Sequence, residues 1–204
     1  TYSFVSSTAI IFSLNDRTST RLIRVQERTT DLEKIALTNS LSRKISNKEL
    51  TIDEAKSEFI HLQHASLQYS FLTNFFAAAI ACGFFLFMFG GVASDCWIAV
   101  IAGGSAFLTF SFVQRYIQIK FFSEFVAAAV VISIAATFTK LGIATNQDII
   151  TIASVMPLVP GILITNAIRD LLAGELLAGM SRGVEAALTA FAIGAGVAIV
   201  LLII

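Results

Sequence analysis

Charge is scarce over most of this sequence. Residues 73–204 carry five basic and six acidic side chains in 132 positions, whereas residues 1–72 carry nine basic and eight acidic ones. Apolar residues make up 56% of the chain, above the roughly 45–50% that is usual for soluble domains. A domain surrounded by water needs more charged surface than residues 73–204 provide, so this scarcity excludes a soluble fold for them.

Cysteines and catalytic motifs are also scarce. The two cysteines, Cys82 and Cys96, have no metal-ligand spacing, and we interpret them as small packing residues. No phosphate-binding loop, nucleophile elbow or His-Glu-x-x-His pattern is present, so the sequence predicts no enzyme, no cofactor and no metal site. His61 and His64 are not accompanied by a set of ligands, and we interpret them as interfacial. A net charge of zero argues against a nucleic-acid partner.

Residues 1–68 are predicted to form a cytosolic α+β domain. Residues 2–14 and 21–25 are rich in β-branched and aromatic side chains, and the turn residues Asn15, Asp16 and Arg17 between them predict a hairpin. Capping-box patterns predict the starts of two helices, at Thr30 with Glu33 and at Thr51 with Glu54. The first residues resemble the interior of a domain, so we expect further chain upstream.

Five apolar stretches follow, and they predict an all-α membrane bundle over residues 69–204. A helix needs about 20 residues to cross a ~30 Å hydrocarbon core. The predicted transmembrane spans are residues 73–93, 96–113, 121–139, 148–168 and 184–204. Gly103 and Gly104 predict a close helix contact in the second span. Residues 175–180 are predicted to form a short connection before the last span.

The basic residues predict how the bundle is oriented. If the N-terminal domain is cytoplasmic, the inner loops carry Arg115, Lys120, Arg169 and Arg182, and the outer loops carry only Lys140. Cytoplasmic loops usually carry the excess of Lys and Arg. We therefore expect the C-terminus to lie outside.

The fourth span is predicted to be broken at Pro157 and Pro160. Each proline lacks an N–H and clashes with the carbonyl four residues earlier, so this pair, followed by Gly161, should interrupt the helix inside the bilayer. Pro160 suits the first position of the second half-helix. The free N–H groups of Ile162 and the next two residues would then face a carboxylate. A structural kink without a ligand is the alternative.

Polar side chains follow the break on one side of the predicted helix. Thr165 and Asn166 lie about a turn beyond the break, where they would contact an amino or hydroxyl group, and Arg169 lies nearer the inner boundary. The predicted substrate-binding residues are Pro160, Gly161, Ile162, Thr165, Asn166 and Arg169.

Four charged residues are predicted to form a gate or to couple transport to an ion. They are Glu124, Asp170, Arg182 and Glu185. Glu124 lies inside the third span, where an acid is costly, so it is a candidate proton-coupling group; pairing with Lys120 explains it equally. The other three lie near the inner boundary, where a structural ion-pair network is the alternative to a gate.

The stretch MPLVPGILITNAIRDLLAGELLAGMSRGVEA, residues 156–186, resembles the signature of the threonine/serine exporter (ThrE) family, N-terminal domain. The resemblance rests on Pro-x-x-Pro-Gly, Thr-Asn-x-x-Arg-Asp and Ser-Arg-Gly-x-Glu-Ala, which occur in that order. The STAIIFSLND and TRLIRVQER stretches and the two helices before the first span are also similar to that family.

The resemblance implies a secondary exporter in the bacterial inner membrane with a cytosolic N-terminal domain. In fused members a second membrane half follows. The chain ends after the fifth predicted span, so we expect that half to come from another polypeptide. This split form resembles the YjjP-type subunits, which the family associates with a small YjjB-type partner and dicarboxylate export.

Several alternatives about function stay open at this point. Threonine and serine are the first candidate substrates, and a C4 dicarboxylate such as succinate is the second. We expect the lipid bilayer, the small-molecule substrate and the second membrane half as partners, with a homo-oligomer as a further option. A membrane-anchored cytosolic enzyme or sensor, and a passive channel, are the rival functions.

Overall fold

The computed structural model describes residues 2–5, 9–13, 20–24, 31–65, 69–117, 119 and 121–204. The chain divides into two compact units. The first unit is Val25–Ser70, and the second unit consists of Thr1–Arg24 together with Phe71–Ile204. The described residues form three strands, β1 (Tyr2–Val5), β2 (Ala9–Ser13) and β3 (Thr20–Arg24), and eight α-helices, α1 (Leu32–Ser46), α2 (Ile52–His64), α3 (Phe71–Met88), α4 (Cys96–Tyr116), α5 (Phe122–Lys140), α6 (Gln147–Val155), α7 (Gly161–Leu172) and α8 (Leu176–Ile203).

The strands form one antiparallel sheet in the order β1-β2-β3. Phe12 pairs with Arg21 across β2 and β3, which confirms the predicted hairpin. Residues 2–14, interpreted as its first strand, instead form β1 and β2, with Phe4 opposite Ile11. The predicted turn at residues 15–17 lies outside the described residues.

The unit Val25–Ser70 contains α1 and α2, which pack against each other and bury Leu41 and Ala55. The start predicted for α1 is wrong by one residue, because the side chain of Asp31 accepts the hydrogen bond from the backbone N–H of Lys34. Thr30 itself lies outside the described residues. The capping box predicted for α2 is confirmed, since Thr51 and Glu54 bond each other reciprocally.

That capping box gives a prediction about the ionisation of Glu54. The hydroxyl and the backbone N–H of Thr51 donate to its carboxylate at 2.7 and 2.9 Å, and these bonds lower the pKa of Glu54 from 4.5. The stabilisation is therefore complete above pH 4.5 and is lost as the pH falls through the lowered pKa. We expect Thr51→Val to raise the Glu54 pKa toward 4.5 in an NMR titration of its labelled carboxyl carbon. An unchanged pKa would show that the hydroxyl is not responsible.

The second unit contains the apolar helices of a multi-pass membrane protein. Among the described residues, four helical segments are each long and apolar enough to cross a membrane, and α6 with α7 makes a fifth if this bent pair is one span. The four are Phe71–Met88, Ala93–Tyr116, Phe122–Lys140 and Leu176–Ile203. The structure therefore confirms a helical membrane bundle preceded by a small α+β part.

The last span begins earlier than predicted. Residues 175–180, expected to be a connection, belong mostly to α8, which starts at Leu176. Gly179 explains the difference, because a Cβ at this position would lie 2.7 Å from Cγ of Leu171 on α7. The glycine therefore permits two helices to pack closely and does not mark a loop.

Small residues set the helix spacing elsewhere in the bundle. A Cβ at Gly103 would lie 2.1 Å from the sulfur of Cys82, and one at Gly104 would lie 3.1 Å from the ring of Phe75. These distances confirm the close helix contact predicted at Gly103 and Gly104, and they show that the partner helix is α3. The alanine residues Ala102 and Ala128 belong to the same buried cluster, so α4 and α5 also approach closely.

Two glycines of α8 offer a matched test of this packing. A Cβ at Gly196 would lie 2.3 Å from the carbonyl oxygen of Phe125 on α5, whereas a Cβ at Gly194 would meet nothing within 4 Å. We expect Gly196→Ala to lower the stability by about 1–3 kcal/mol, because backbone atoms cannot move aside cheaply. Gly194→Ala should be neutral or stabilise by up to about 1 kcal/mol. Thermal unfolding in one detergent, followed by the fluorescence of Trp97, compares them; equal losses would contradict the packing.

Candidate functional site

The predicted break in the fourth span is present. Helix α6 ends at Val155, a short 3-10 turn covers Met156–Leu158, and α7 starts at Gly161. The two segments meet at an angle of 63°. At the turn the N–H of Val159 donates to the carbonyl of Met156 at 3.1 Å, so the α-helical pattern of hydrogen bonds is interrupted here.

The start of α7 differs from the prediction in two ways. Pro160 is the N-cap residue and not the first residue of the helix. The N–H of Ile164, expected to be free, donates to the carbonyl of Pro160 at 3.0 Å. The N–H groups of Ile162 and Leu163 form no hydrogen bond with the described residues, as is usual for the first turn of a helix. Two amides therefore remain at the positive end of α7.

Side chains from α3 and α6 hold the end of α6 in place. Ser154 is fully buried, and its hydroxyl donates to the carbonyl of Ala99 on α4 at 3.2 Å. The thiol of Cys82 on α3 donates to the carbonyl of Ser154 at 3.7 Å. The break is therefore supported by hydrogen bonds to two neighbouring helices.

The other end of α6 is fixed by Asp95, which is 1% exposed. Its carboxylate accepts hydrogen bonds from the backbone N–H groups of Thr145 and Asn146, the latter at 3.1 Å. These residues come directly before α6, and Asp95 comes directly before α4. The sequence does not predict this contact, and its signal there is a single acid between two apolar spans.

A cavity of 290 Å³ lies beside the break. Its walls come from α4, α5, α7, α8 and the turn between α6 and α7. The lining residues are Phe107, Phe110, Glu124, Pro157, Leu158, Pro160, Leu163 and Thr189. Two of them, Glu124 and Thr189, have polar side chains, so the cavity is mainly apolar with a few polar groups, as small-molecule sites usually are.

The residues that line the cavity include both hydrogen-bond acceptors and hydrogen-bond donors. The carboxylate of Glu124 forms no hydrogen bond or ion pair with the described residues, a set that does not include Lys120. Thr189 is 5% exposed, and its hydroxyl donates to the carbonyl of Glu185 at 3.0 Å, which leaves its oxygen able to accept. Leu163, whose N–H forms no hydrogen bond with the described residues, also lines this cavity. Hydrogen-bond acceptors and a positive helix end thus share one space.

Five of the predicted binding residues do not line this cavity: Gly161 and Ile162, which lie beside Pro160 at the start of α7, and Thr165, Asn166 and Arg169 further along that helix. Thr165 and Arg169 are exposed on α7, and Asn166 is partly buried. The hydroxyl of Thr165 donates to the carbonyl of Gly161 at 2.9 Å. Arg169 forms no ion pair with the described residues. Their role in binding stays a prediction.

Two of the predicted gate residues form an ion pair. Arg182 on α8 donates to the carboxylate of Asp170 on α7, and their side chains are 27% and 15% exposed. Glu185 lies about one turn further along α8 and is partly buried. Among the described residues, no group of three or more His, Cys, Asp or Glu side chains is placed to hold a metal ion.

The predicted site residues do not include Phe107, Phe110, Leu158 or Thr189 of the cavity wall. Phe107 and Phe110 are two of 18 phenylalanines, so nothing distinguishes them in the sequence. Thr189 does carry a signal, because it is one of very few polar residues after Glu185 in the last apolar stretch. A hydroxyl inside a membrane span usually faces other protein groups.

Comparison with known proteins identifies the family. The ThrE family, described as "Putative threonine/serine exporter", matches residues 1–204. No curated protein matches the chain, and no solved structure does. The match covers both compact units, and so includes residues 156–186 as well as the upstream stretches and helices on which the resemblance rests. The chain therefore belongs to the ThrE family of transporters.

Proposed function

We propose that this protein is a subunit of a secondary transporter that exports threonine and serine across the bacterial inner membrane. The observation that carries the proposal is the cavity beside the break, where Glu124 and Thr189 share one space with the start of α7. Membership of the ThrE family supports the same substrate class. The cavity adds a chemical reason why a zwitterion suits the site.

The substrate carboxylate is placed at the start of α7. The free N–H groups of Ile162 and Leu163 and the positive end of the helix dipole stabilise an anion there. The carboxylate of Glu124 then receives the substrate ammonium, and the oxygen of Thr189 accepts a hydrogen bond from the ammonium or from the substrate hydroxyl. Phe107 and Phe110 enclose the short side chain.

Charge favours a small amino acid over a dicarboxylate, whereas size does not separate the two, because threonine and succinate have the same number of non-hydrogen atoms. The cavity of 290 Å³ is at the lower limit of the ~300–1,000 Å³ range of ligand pockets. A second carboxylate beside an ionised Glu124 would meet a like charge, which costs about 4 kcal/mol at 4 Å near a protein surface. Succinate is therefore the second candidate, and it requires Glu124 to be protonated.

The remaining predicted residues are assigned to the inner end of the path. We place Thr165, Asn166 and Arg169 on the cytoplasmic side of the cavity, with the Asp170–Arg182 pair as a gate between α7 and α8. The exposed polar face of α7 is costly against lipid. A second membrane half from another polypeptide, or another copy of this chain, therefore covers it.

Export from whole cells tests the function with any partner subunit supplied by the cell itself. Cells with and without the chromosomal gene are preloaded with labelled threonine, serine or succinate, and efflux is followed after transfer to label-free medium. We expect loss of the gene to slow threonine and serine efflux severalfold and to leave succinate efflux unchanged. Loss of succinate efflux alone would establish the dicarboxylate function instead. Unchanged efflux of all three would favour the anchored enzyme or sensor.

A further inference from the structure

A second cavity lies at the C-terminal end of α4, away from the break. It has a volume of 590 Å³ and is formed by the last turns of α4 together with Phe71, the first residue of α3. None of its lining residues belongs to the cavity beside the break. We call it the α4 groove.

One end of the α4 groove is polar and positively charged. Arg115 and Ser111 lie one turn apart on α4, and Tyr116 follows directly. Arg115 is exposed and forms no ion pair with the described residues. A guanidinium presents several donors in a fork that matches phosphate oxygens. This end of the groove is therefore suited to a phosphate group.

The other end of the α4 groove is apolar. Leu108 and Phe112 continue the line of Tyr116 along α4 at intervals of four residues, and the side chain of Phe112 is 65% exposed. The rings of Phe112 and Tyr116 lie 4.6 Å apart and form a continuous apolar wall. From Leu108 to Tyr116 the helix rises roughly 12 Å, a length that matches the upper part of an acyl chain.

We propose that the α4 groove binds one anionic phospholipid. The phosphate contacts Arg115 and the hydroxyl of Ser111, and one acyl chain lies along Phe112 and Leu108. The position fits this ligand, because Arg115 and Tyr116 end a membrane-spanning helix, at the level where lipid headgroups and aromatic side chains meet. Basic pockets between membrane helices are a recurrent way to hold acidic headgroups.

The arrangement favours a lipid over a soluble phosphate. A soluble anion would gain only the polar contacts with Arg115 and Ser111, and water and salt weaken the charged one at an exposed site. A lipid also covers the apolar wall, and each buried CH₂ group adds to its affinity. The ligand class is therefore an amphiphile with a phosphate headgroup.

Lipid binding can be measured on the full-length protein in detergent. Native mass spectrometry with phosphatidylglycerol and with phosphatidylcholine gives the affinity for each lipid. We expect phosphatidylglycerol to bind more tightly, and Arg115→Gln to weaken it about tenfold, while Arg115→Lys, which keeps the charge but not the fork of donors, retains part of the affinity. The control Lys140→Gln removes a cation at the end of α5, outside the groove, and should change nothing.

Two further binding measurements test the apolar wall and the preference for a lipid over a soluble phosphate. Phe112→Ser should weaken phosphatidylglycerol severalfold without changing charge, so it tests the apolar wall even if Arg115→Gln does not fold. Glycerol phosphate, tested in the same way, should not bind at concentrations where phosphatidylglycerol does. Equal affinity for both lipids, an unchanged affinity in Arg115→Gln or Phe112→Ser, or tight binding of glycerol phosphate would each overturn the proposal.

Discussion

Replacing Pro157 and Pro160 together by alanine should reduce threonine and serine export at least tenfold while the protein stays folded. Alanine restores both missing N–H groups and is the best helix former. With these substitutions α6 and α7 can therefore form one continuous helix. A continuous helix removes the first turn of α7 from the cavity, and with it the free amides proposed to bind the substrate carboxylate. Efflux from preloaded cells measures the loss, and membrane levels of the protein are compared in parallel.

The matched control for this pair is Val159→Ala. Val159 lies between the two prolines, is 38% exposed and does not line the cavity. The control therefore changes the same turn and keeps both residues that break the helix, and we expect export close to that of the natural protein. Full export by the double proline variant would show that the break is not needed for transport.

Glu124→Gln should reduce export of threonine at least tenfold. The substitution preserves size but removes the charge proposed to bind the substrate ammonium, and hydrogen bonds to charged groups contribute about 1.5–3 kcal/mol, or roughly 10–150-fold. We expect Glu124→Asp to retain part of the activity. Glu175→Gln is the control, because Glu175 is an exposed acid in the turn before α8.

An exchange assay, in which labelled threonine inside the cell is traded for unlabelled threonine outside, distinguishes two roles of Glu124: binding the substrate and coupling transport to an ion. If Glu124 binds the ammonium, Glu124→Gln loses both net efflux and exchange of labelled for unlabelled threonine. If it only couples transport to protons, net efflux fails while exchange continues. Normal export by Glu124→Gln would contradict both roles.

The break and most spans could be predicted because their causes are local. Pro157 and Pro160 lack N–H groups wherever they occur, and long apolar runs are readable from composition. The start of α8 was misplaced because residues 175–180, which include Gly179, were interpreted as a connection. The role of Gly179 depends on Leu171, which contacts it across two helices. The free amide expected at Ile164 is bonded because Pro160 caps α7 from outside the helix.

The cavity could be predicted only in part because it is a tertiary feature. Glu124 and Pro160 were identified from sequence as functional residues, but nothing in their spacing places them on one cavity wall. Thr189 joins them because α5 and α8 pack closely at Gly196, and this contact requires the folded bundle. Asp95 shows the same limit, since its partners lie 50 residues away in the sequence.

An experimental density map of residues 147–172, determined in a lipid nanodisc with threonine present, would show both the break and the substrate. We expect the first helix to end before Pro160, a second helix to start at Gly161, and threonine density to lie between this start and Glu124. One unbroken helix across these residues, with lipid density where the cavity should be, would contradict this expectation.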